Sequence, residues 1–226
     1  MAQPGDQGSS VGGAWRVWAG DPSGRTAVVR GTPRIGLLVP ELLAAGMTLA
    51  RTGALSEPAA AHLTDEGWDI AGRLHLLQHD LQRMERPWRG AFRKGRGAHL
   101  SEIAAVDRSA FPTEWQLGLQ GLTEALAATP RSRIRIHRQG GAITAFAISG
   151  MAGGDGYLQR LAVVEALRRD GVGRQLTLDA LRWMRRRRAR RALVNTYEGN
   201  DAALRLYEGV GFHELSPGLV VLSIAL

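Results

Sequence analysis

The 226 residues carry a formal net charge of +8, from 29 Lys and Arg against 21 Asp and Glu, and contain no cysteine. The length suits one domain or one and a half, and an apolar content of 44% rules out a chain dominated by disorder. Disulfides, thiolate metal sites and cysteine nucleophiles are excluded outright.

Residues 1–24, rich in Gly, Ser, Pro and Asp, predict a disordered N-terminal tail. They hold no basic segment followed by an apolar stretch, and no run in the chain reaches the ~18–20 apolar residues of a membrane span. A cytoplasmic protein with no membrane partner is the expectation. Residues 25–85 then form a first, smaller α/β unit, with helices expected at 35–45 and 57–65 and strands at 47–55 and 74–81. Pro87, Gly90, Gly95 and Gly97 break the periodicity of the basic stretch that follows, so residues 86–98 read as a linker.

The second unit, 99–226, opens with helices at 100–111 and 115–127, stopped by Pro112 and Pro130. Strands follow at 134–138 and 142–149 around a Gln139-Gly140-Gly141 turn, then a strand at 157–163, a helix at 173–187, a strand at 192–197 and a helix at 201–210. Short strands at 212–215 and 219–225 end the chain. This order predicts an α/β fold whose mixed sheet is antiparallel at first and later contains a parallel crossover. An internal similarity runs across the two units. Placing Gly67-Trp68 on Gly211-Phe212 puts Ala59 on Ala203, Leu63 on Tyr207 and Ser56 on Asn200, so the first unit reads as a worn copy of the end of the second.

Two segments carry chemistry. In the first, the apolar run Leu161-Ala162-Val163 leads into Arg168-Arg169-Asp170-Gly171-Val172-Gly173-Arg174, where a helix opens on two glycines. Free backbone N–H groups converge at such a turn, glycines let an anion approach, and the arginines add charge-assisted donors for a pyrophosphate. In the second, Asn200 and Tyr207 stand two helical turns apart, about 10 Å along one face. Taken singly, the turn is an ordinary strand-to-helix loop, Asn200 an N-cap and Tyr207 a half-buried core aromatic.

Together, and in this order, these motifs resemble the GNAT superfamily of N-acetyltransferases over roughly residues 99–226. The resemblance implies a GNAT-type mixed central sheet flanked by helices and preceded by the smaller half-unit, with acetyl-CoA as co-substrate and no metal. It implies that the backbone of Leu161, Ala162 and Val163 pairs with the pantetheine arm and that the turn from Arg168 to Arg174 holds the pyrophosphate. Asn200 would bind the pantetheine region, and Tyr207 would protonate the leaving thiolate. Phe111, Pro112 and Trp115 look like the substrate-side helices of ribosomal-protein alanine N-acetyltransferases, which suggests a protein N-terminus as acceptor, with a small-molecule amine nearly its equal. Those enzymes carry a glutamate five residues before the motif asparagine, whereas this chain has Asn195, which takes no proton at neutral pH. Glu198 is the expected general base in its place, with Glu165, Asp201, a water chain or an already neutral amine as alternatives.

The cluster of Arg185, Arg186, Arg187, Arg188, Arg190 and Arg191 closes a helix, where cations complement the dipole, and the sequence has little aromatic interleaving, so a nucleic-acid partner is not expected. A monomer or homodimer is. The competing reading of the whole is a non-catalytic acyl-CoA-binding or regulatory module.

Overall fold

The structure is a computed structural model that describes residues 7–10, 13–21, 23–31, 35–82, 84, 85 and 92–226. Its first elements are β1 (Gln7–Ser10), β2 (Gly13–Val17), β3 (Thr26–Val29), α1 (Ile35–Ala44), β4 (Leu49–Thr52), β5 (Leu55–Ser56), α2 (Glu57–Asp65) and β6 (Asp69–His79). Then come β7 (Arg93–Lys94), α3 (Leu100–Ala110), α4 (Gly118–Ala127), β8 (Arg131–Gln139), β9 (Ala142–Ala152), β10 (Asp155–Val163), α5 (Val172–Arg186), β11 (Ala192–Tyr197), α6 (Asp201–Val210) and β12 (His213–Ala225). The chain forms two compact units, Met1–His75 with Ser216–Leu226, and Leu76–Leu215.

The first unit orders its strands β1-β2-β3-β4-β12. Strand β3 lies parallel to β4 across the α1 crossover, and β12 closes on β4 antiparallel. Its core is built on period-two positions of the strands, Ala27 and Val29 on β3 and Val220 and Leu222 on β12, against Leu38 and Leu42, one helical turn apart on α1. The second unit orders its strands β11-β10-β9-β8-β7, antiparallel except for the parallel β10/β11 pair. Two cores cover its faces. Helices α5 and α6 pack Leu176, Leu181, Met184 and Tyr207 over Ala145 and Ala147 of β9, while α3 and α4 pack Ile103, Val106 and Leu122 over Phe146 and Ile148 of the same strand.

The mixed α/β architecture agrees with the sequence reading, but three boundaries differ. Residues 7–10 and 13–17 of the expected tail are strands, anchored by Trp15, which is buried and donates its indole N–H to Glu41 at 2.6 Å; residues 1–6, 11, 12 and 22 of that tail lie outside the described residues. Of the expected linker, residues 86–91 lie outside the described residues as well, while Arg93 and Lys94 form an edge strand on β8 beside the buried Phe92. The last strand is one element rather than two, and its residues from Ser216 onward belong to the first unit. Pro217 and Gly218 read as a break because they are strand breakers by composition, yet Gly218 has a packing reason: a Cβ there would stand 2.4 Å from the carbonyl oxygen of Leu74.

Gly218→Ala is therefore expected to destabilise the first unit by about 1–3 kcal/mol, the range for overpacking a close contact. A urea midpoint equal to that of the parent chain would show that the Leu74 backbone yields freely.

Candidate active site

Strands β10 and β11 pair at only two positions, Gly156 with Ala192 and Tyr157 with Leu193. Their shared base is fixed by Arg191, whose Nε and Nη2 donate to one carboxylate oxygen of Asp155 at 3.1 and 3.0 Å, and by the Gly156 N–H on the Arg191 carbonyl at 2.9 Å. Beyond Tyr157 the strands part. The cause lies in β10, where the register against β9 shifts between Leu158 and Arg160, so Gln159 is a bulge that bends the strand away from β11. The edge of β10 from Leu158 to Val163 is left without a β11 partner, and those backbone groups can take an extended ligand as a strand would.

After Val163 the chain makes a single 3-10 turn, Glu165–Leu167, and then enters α5 through two left-handed residues, Arg169 at φ +74° and Gly171 at φ +79°. Gly171 caps α5 without a side chain, and the first intrahelical bond of this turn runs from the Gln175 N–H to the Gly171 carbonyl. The N–H groups of Val172, Gly173 and Arg174 thus open the helix free of intrahelical partners, an anion site by geometry and dipole. A Cβ on Gly173 would lie 3.0 Å from Leu206 Cδ1 and 3.6 Å from Val163 Cγ2, so glycine is what lets α5 approach α6 and β10 this closely.

The arginines of the turn are placed differently from the sequence expectation. Arg168 donates to the Ala110 carbonyl at 3.1 Å, and Arg174 holds Glu85 in a two-bond pair at 2.8 and 2.9 Å, which keeps that carboxyl below its usual range. Arg169 and Asp170 are exposed. Arg168 and Arg174 are thus taken by protein groups, while the N–H groups at the start of α5 are not. Several arginines near the α5 C-terminus are also engaged within the protein: Arg187 covers the Trp183 ring at 4.5 Å, Arg190 donates to the Gly153 carbonyl, and Arg191 belongs to the strand clamp.

Tyr207 on α6 is buried, and burial pushes its phenol well above the ordinary value near 10. Such a group keeps its proton at neutral pH. Asn200 caps α6, its side-chain oxygen accepting from the Ala203 N–H at 3.3 Å. Glu198 and Asn195 are exposed, Glu198 in the turn after β11 with no hydrogen bond or ion pair among the described residues; Glu165 is exposed too, and Asp201 lies 3.9 Å from Arg205. The structure does not bring Glu198 into contact with Tyr207.

Sequence reasoning missed a buried ion pair between β10 and α3. Arg160, the first residue after the bulge, has a side chain only 12% exposed; its Nε donates to Asp107 Oδ1 at 2.6 Å, its Nη2 to the Trp115 carbonyl at 2.8 Å, and the Phe111 ring lies 3.4 Å from its Cζ. Burial lowers the basicity of this guanidinium, and Asp107 opposes the effect. Asp107 is wholly buried and also accepts the Leu117 N–H at 2.9 Å. Trp115 stacks on Tyr197, the last residue of β11, with centroids 5.0 Å apart and planes 8° from parallel. The signal was present: Asp107 falls on the apolar face of α3 with Ile103, Ala104 and Val106, where a carboxylate is tolerated only with a partner. No cluster of His, Asp and Glu suited to a metal occurs among the described residues, and no helix there is long and apolar enough to cross a membrane.

No curated protein matches the chain by sequence. Several solved structures share its fold. A putative acetyltransferase of the GNAT family from Novosphingobium aromaticivorans superposes with a TM-score of 0.61 at 15% identity, over 96% of this chain and 90% of that one. A GCN5-related N-acetyltransferase from Sphaerobacter thermophilus gives 0.57 at 16% identity, over 94% and 75%. A tandem GNAT protein from the clavulanic acid biosynthesis pathway gives 0.63 at 14% identity, over 99% and 84%. The profile of the acetyltransferase (GNAT) family matches residues 100–212, half of the chain and nearly all of the segment that builds the cleft, and the protein belongs to that family.

Proposed function

We propose that the second unit is an acetyl-CoA-dependent N-acetyltransferase that passes an acetyl group directly to a primary amine. The parting of β10 from β11 beside a bare helix N-terminus carries this reading, because one ligand with an extended arm and a pyrophosphate fits both. The residues suit acetyl-CoA: the free edge of Leu161, Ala162 and Val163 for the arm, the N–H groups of Val172, Gly173 and Arg174 for the phosphates, and the amide nitrogen of Asn200 beside the arm. Acetyl-CoA brings an acetyl group already activated as a thioester. Tyr207 holds the proton that the departing sulfur requires, and its burial keeps that proton in place at neutral pH.

One observation favours the second reading, a binding module without turnover. The buried carboxylate beside the cleft, Asp107, is taken by Arg160, and Glu198 lies exposed. An enzyme built this way must receive its amine neutral or through water. Asn195 in place of the glutamate of the ribosomal-protein enzymes also argues against carrying over their narrow activity, so the acceptor is a protein N-terminus or a small amine.

The first unit is, in this reading, a degenerate copy of the same topology. Its order of three antiparallel strands, a crossover helix, a parallel strand, a helix and a final strand repeats that of β8 to β12. The turn after α2 matches the turn after α6: Trp68 N–H bonds the Leu63 carbonyl across Gly67 at φ +91°, and Phe212 N–H bonds the Tyr207 carbonyl across Gly211 at φ +106°, both at 3.0 Å. Yet β3 and β4 pair along all four residues, and Leu63 replaces the phenol. Among the described residues of that unit, neither a parted parallel pair nor a phenol stands at these positions.

Gly173→Trp should abolish acetyl-CoA binding by calorimetry, since the new side chain enters the cradle; retained affinity would remove the pyrophosphate site from this turn. Tyr207→Phe should lower kcat about 10²–10⁴-fold with acetyl-CoA affinity nearly unchanged. Full turnover in that variant would leave the acid role without support. The protonated phenol is the active form and its pKa is raised, so the rate should show no loss from Tyr207 up to about pH 10, its unperturbed value. An alkaline limb that starts well below pH 10 and disappears in Tyr207→Phe would contradict the burial argument.

A further inference from the structure

Two anion-binding elements lie on opposite faces of β10, and acetyl-CoA accounts for one of them. The helix N-terminus belongs to the face where Leu161 and Val163 pack with α5, α6 and Tyr207. Arg160 projects to the other face, where Ala162 packs with α3 and α4. A phosphate cradled by α5 leaves the Arg160 guanidinium unexplained.

The fork of Arg160 is held rigidly and left incomplete. Asp107 takes Nε, the Trp115 carbonyl takes one hydrogen of Nη2, and the Phe111 ring covers one face. Of the five N–H donors of a guanidinium, three then remain. Nη1 has no hydrogen-bond partner among the described residues, in a side chain that is 12% exposed. Asp107 is buttressed in turn by the Leu117 N–H, so the geometry of the pair is fixed before any ligand arrives. Trp115, whose carbonyl takes Nη2, stacks on Tyr197 at the end of β11, so the guanidinium stands beside the end of the strand that parts from β10. The remaining N–H edge offers donors and no acceptor, so it suits a planar two-oxygen anion, for which a pre-oriented guanidinium is the matched partner, and not an ammonium.

We infer that Arg160 selects the acceptor, and that the acceptor is a small amine bearing a carboxylate, an amino acid rather than a peptide N-terminus, in which a neutral amide stands where the carboxylate would be. This rests on the transferase reading of the same cleft and narrows its acceptor. The blander role for Arg160, a brace that ties α3 and the Trp115 turn to the sheet, predicts no preference for either ligand.

Binding of the acetylated product tests this without the difference in amine basicity between an amino acid and its amide. With the full chain saturated with CoA, calorimetry across a panel of N-acetyl amino acids, each as free acid and as α-amide, should show at least one acid bound about tenfold or more tightly than its amide. Arg160→Met should erase that ratio with CoA affinity intact; Arg160→Met combined with Asp107→Asn removes the orphaned buried carboxylate should the single variant fold poorly. Equal binding of acid and amide throughout the panel, or binding of neither, overturns the inference, as does a preference that survives in the Arg160 variants. Thiol release with the matching free amines separates the two levels. Acid-selective binding without turnover of any amine would sink the transferase reading and leave the Arg160 subsite standing, whereas turnover of amides as fast as acids, with no acid preference in binding, would do the reverse.

Discussion

The structure depends on hydrogen bonds that β10 and β11 do not make. A parallel pair in the middle of a sheet ordinarily zips to its ends, because every buried backbone N–H and C=O left alone costs about as much as a lost hydrogen bond. Here the pair stops after two positions, and the bulge at Gln159 supplies the local reason. Backbone groups exposed in this way are tolerated where something else completes them, and an extended ligand lying in the gap does so at no cost in sequence-specific side chains. The clamp of Asp155 and Arg191 at the base of the pair keeps the opening from propagating down the strand.

Everything else in the second unit is arranged around that opening. On one face the helix N-terminus offers backbone donors, and Gly173 sets how near α5 can come. Turning Arg168 and Arg174 toward Ala110 and Glu85 costs the cradle little, since N–H groups at a helix start already provide both direction and dipole. On the other face a buried ion pair stands where an apolar contact would give at least equal stability, because desolvation consumes most of the Coulomb gain of such pairs. Arg160 and Asp107 are therefore poorly explained by stability alone. Their presence at a cleft, with an N–H edge uncommitted, fits a use in recognition.

Much of this was legible in the chain itself, for identifiable reasons. The helices α3 to α6 and the strands β8 to β11 announce themselves by period, and the glycine turn and the Asn200–Tyr207 helix are local patterns whose meaning survives without tertiary context. What escaped was long-range. Trp15 and Val17 alternate as a strand should, but they sit in a stretch of Gly and Ser whose composition suggested disorder, and only burial against the first unit's core reveals them. Pro217 and Gly218 mimic a break because their packing partner, the Leu74 carbonyl, is 144 residues away. The pairing of Arg160 with Asp107 spans 53 residues, and the exposure of Glu198 is likewise a tertiary property that sequence position does not report.

The parallel pairs β3/β4 and β10/β11 provide an internal comparison of a closed pair with a parted one. Strand β3 has four residues in unbroken register with β4, and the helix α2 that follows carries Leu63 where the proposed repeat aligns it with Tyr207 of α6. Strand β10 has nine residues and a bulge, and it separates from its partner past the second pair. Crossover topology and the glycine-capped turn that follows are common to both, so neither can be what opens the gap. The added strand length and the one extra residue at the bulge remain, together with a glycine in α5 that lets the helix follow the bent strand. The gap thus goes with the longer strand, its bulge and the glycine of α5, and the phenol plays no part in opening it.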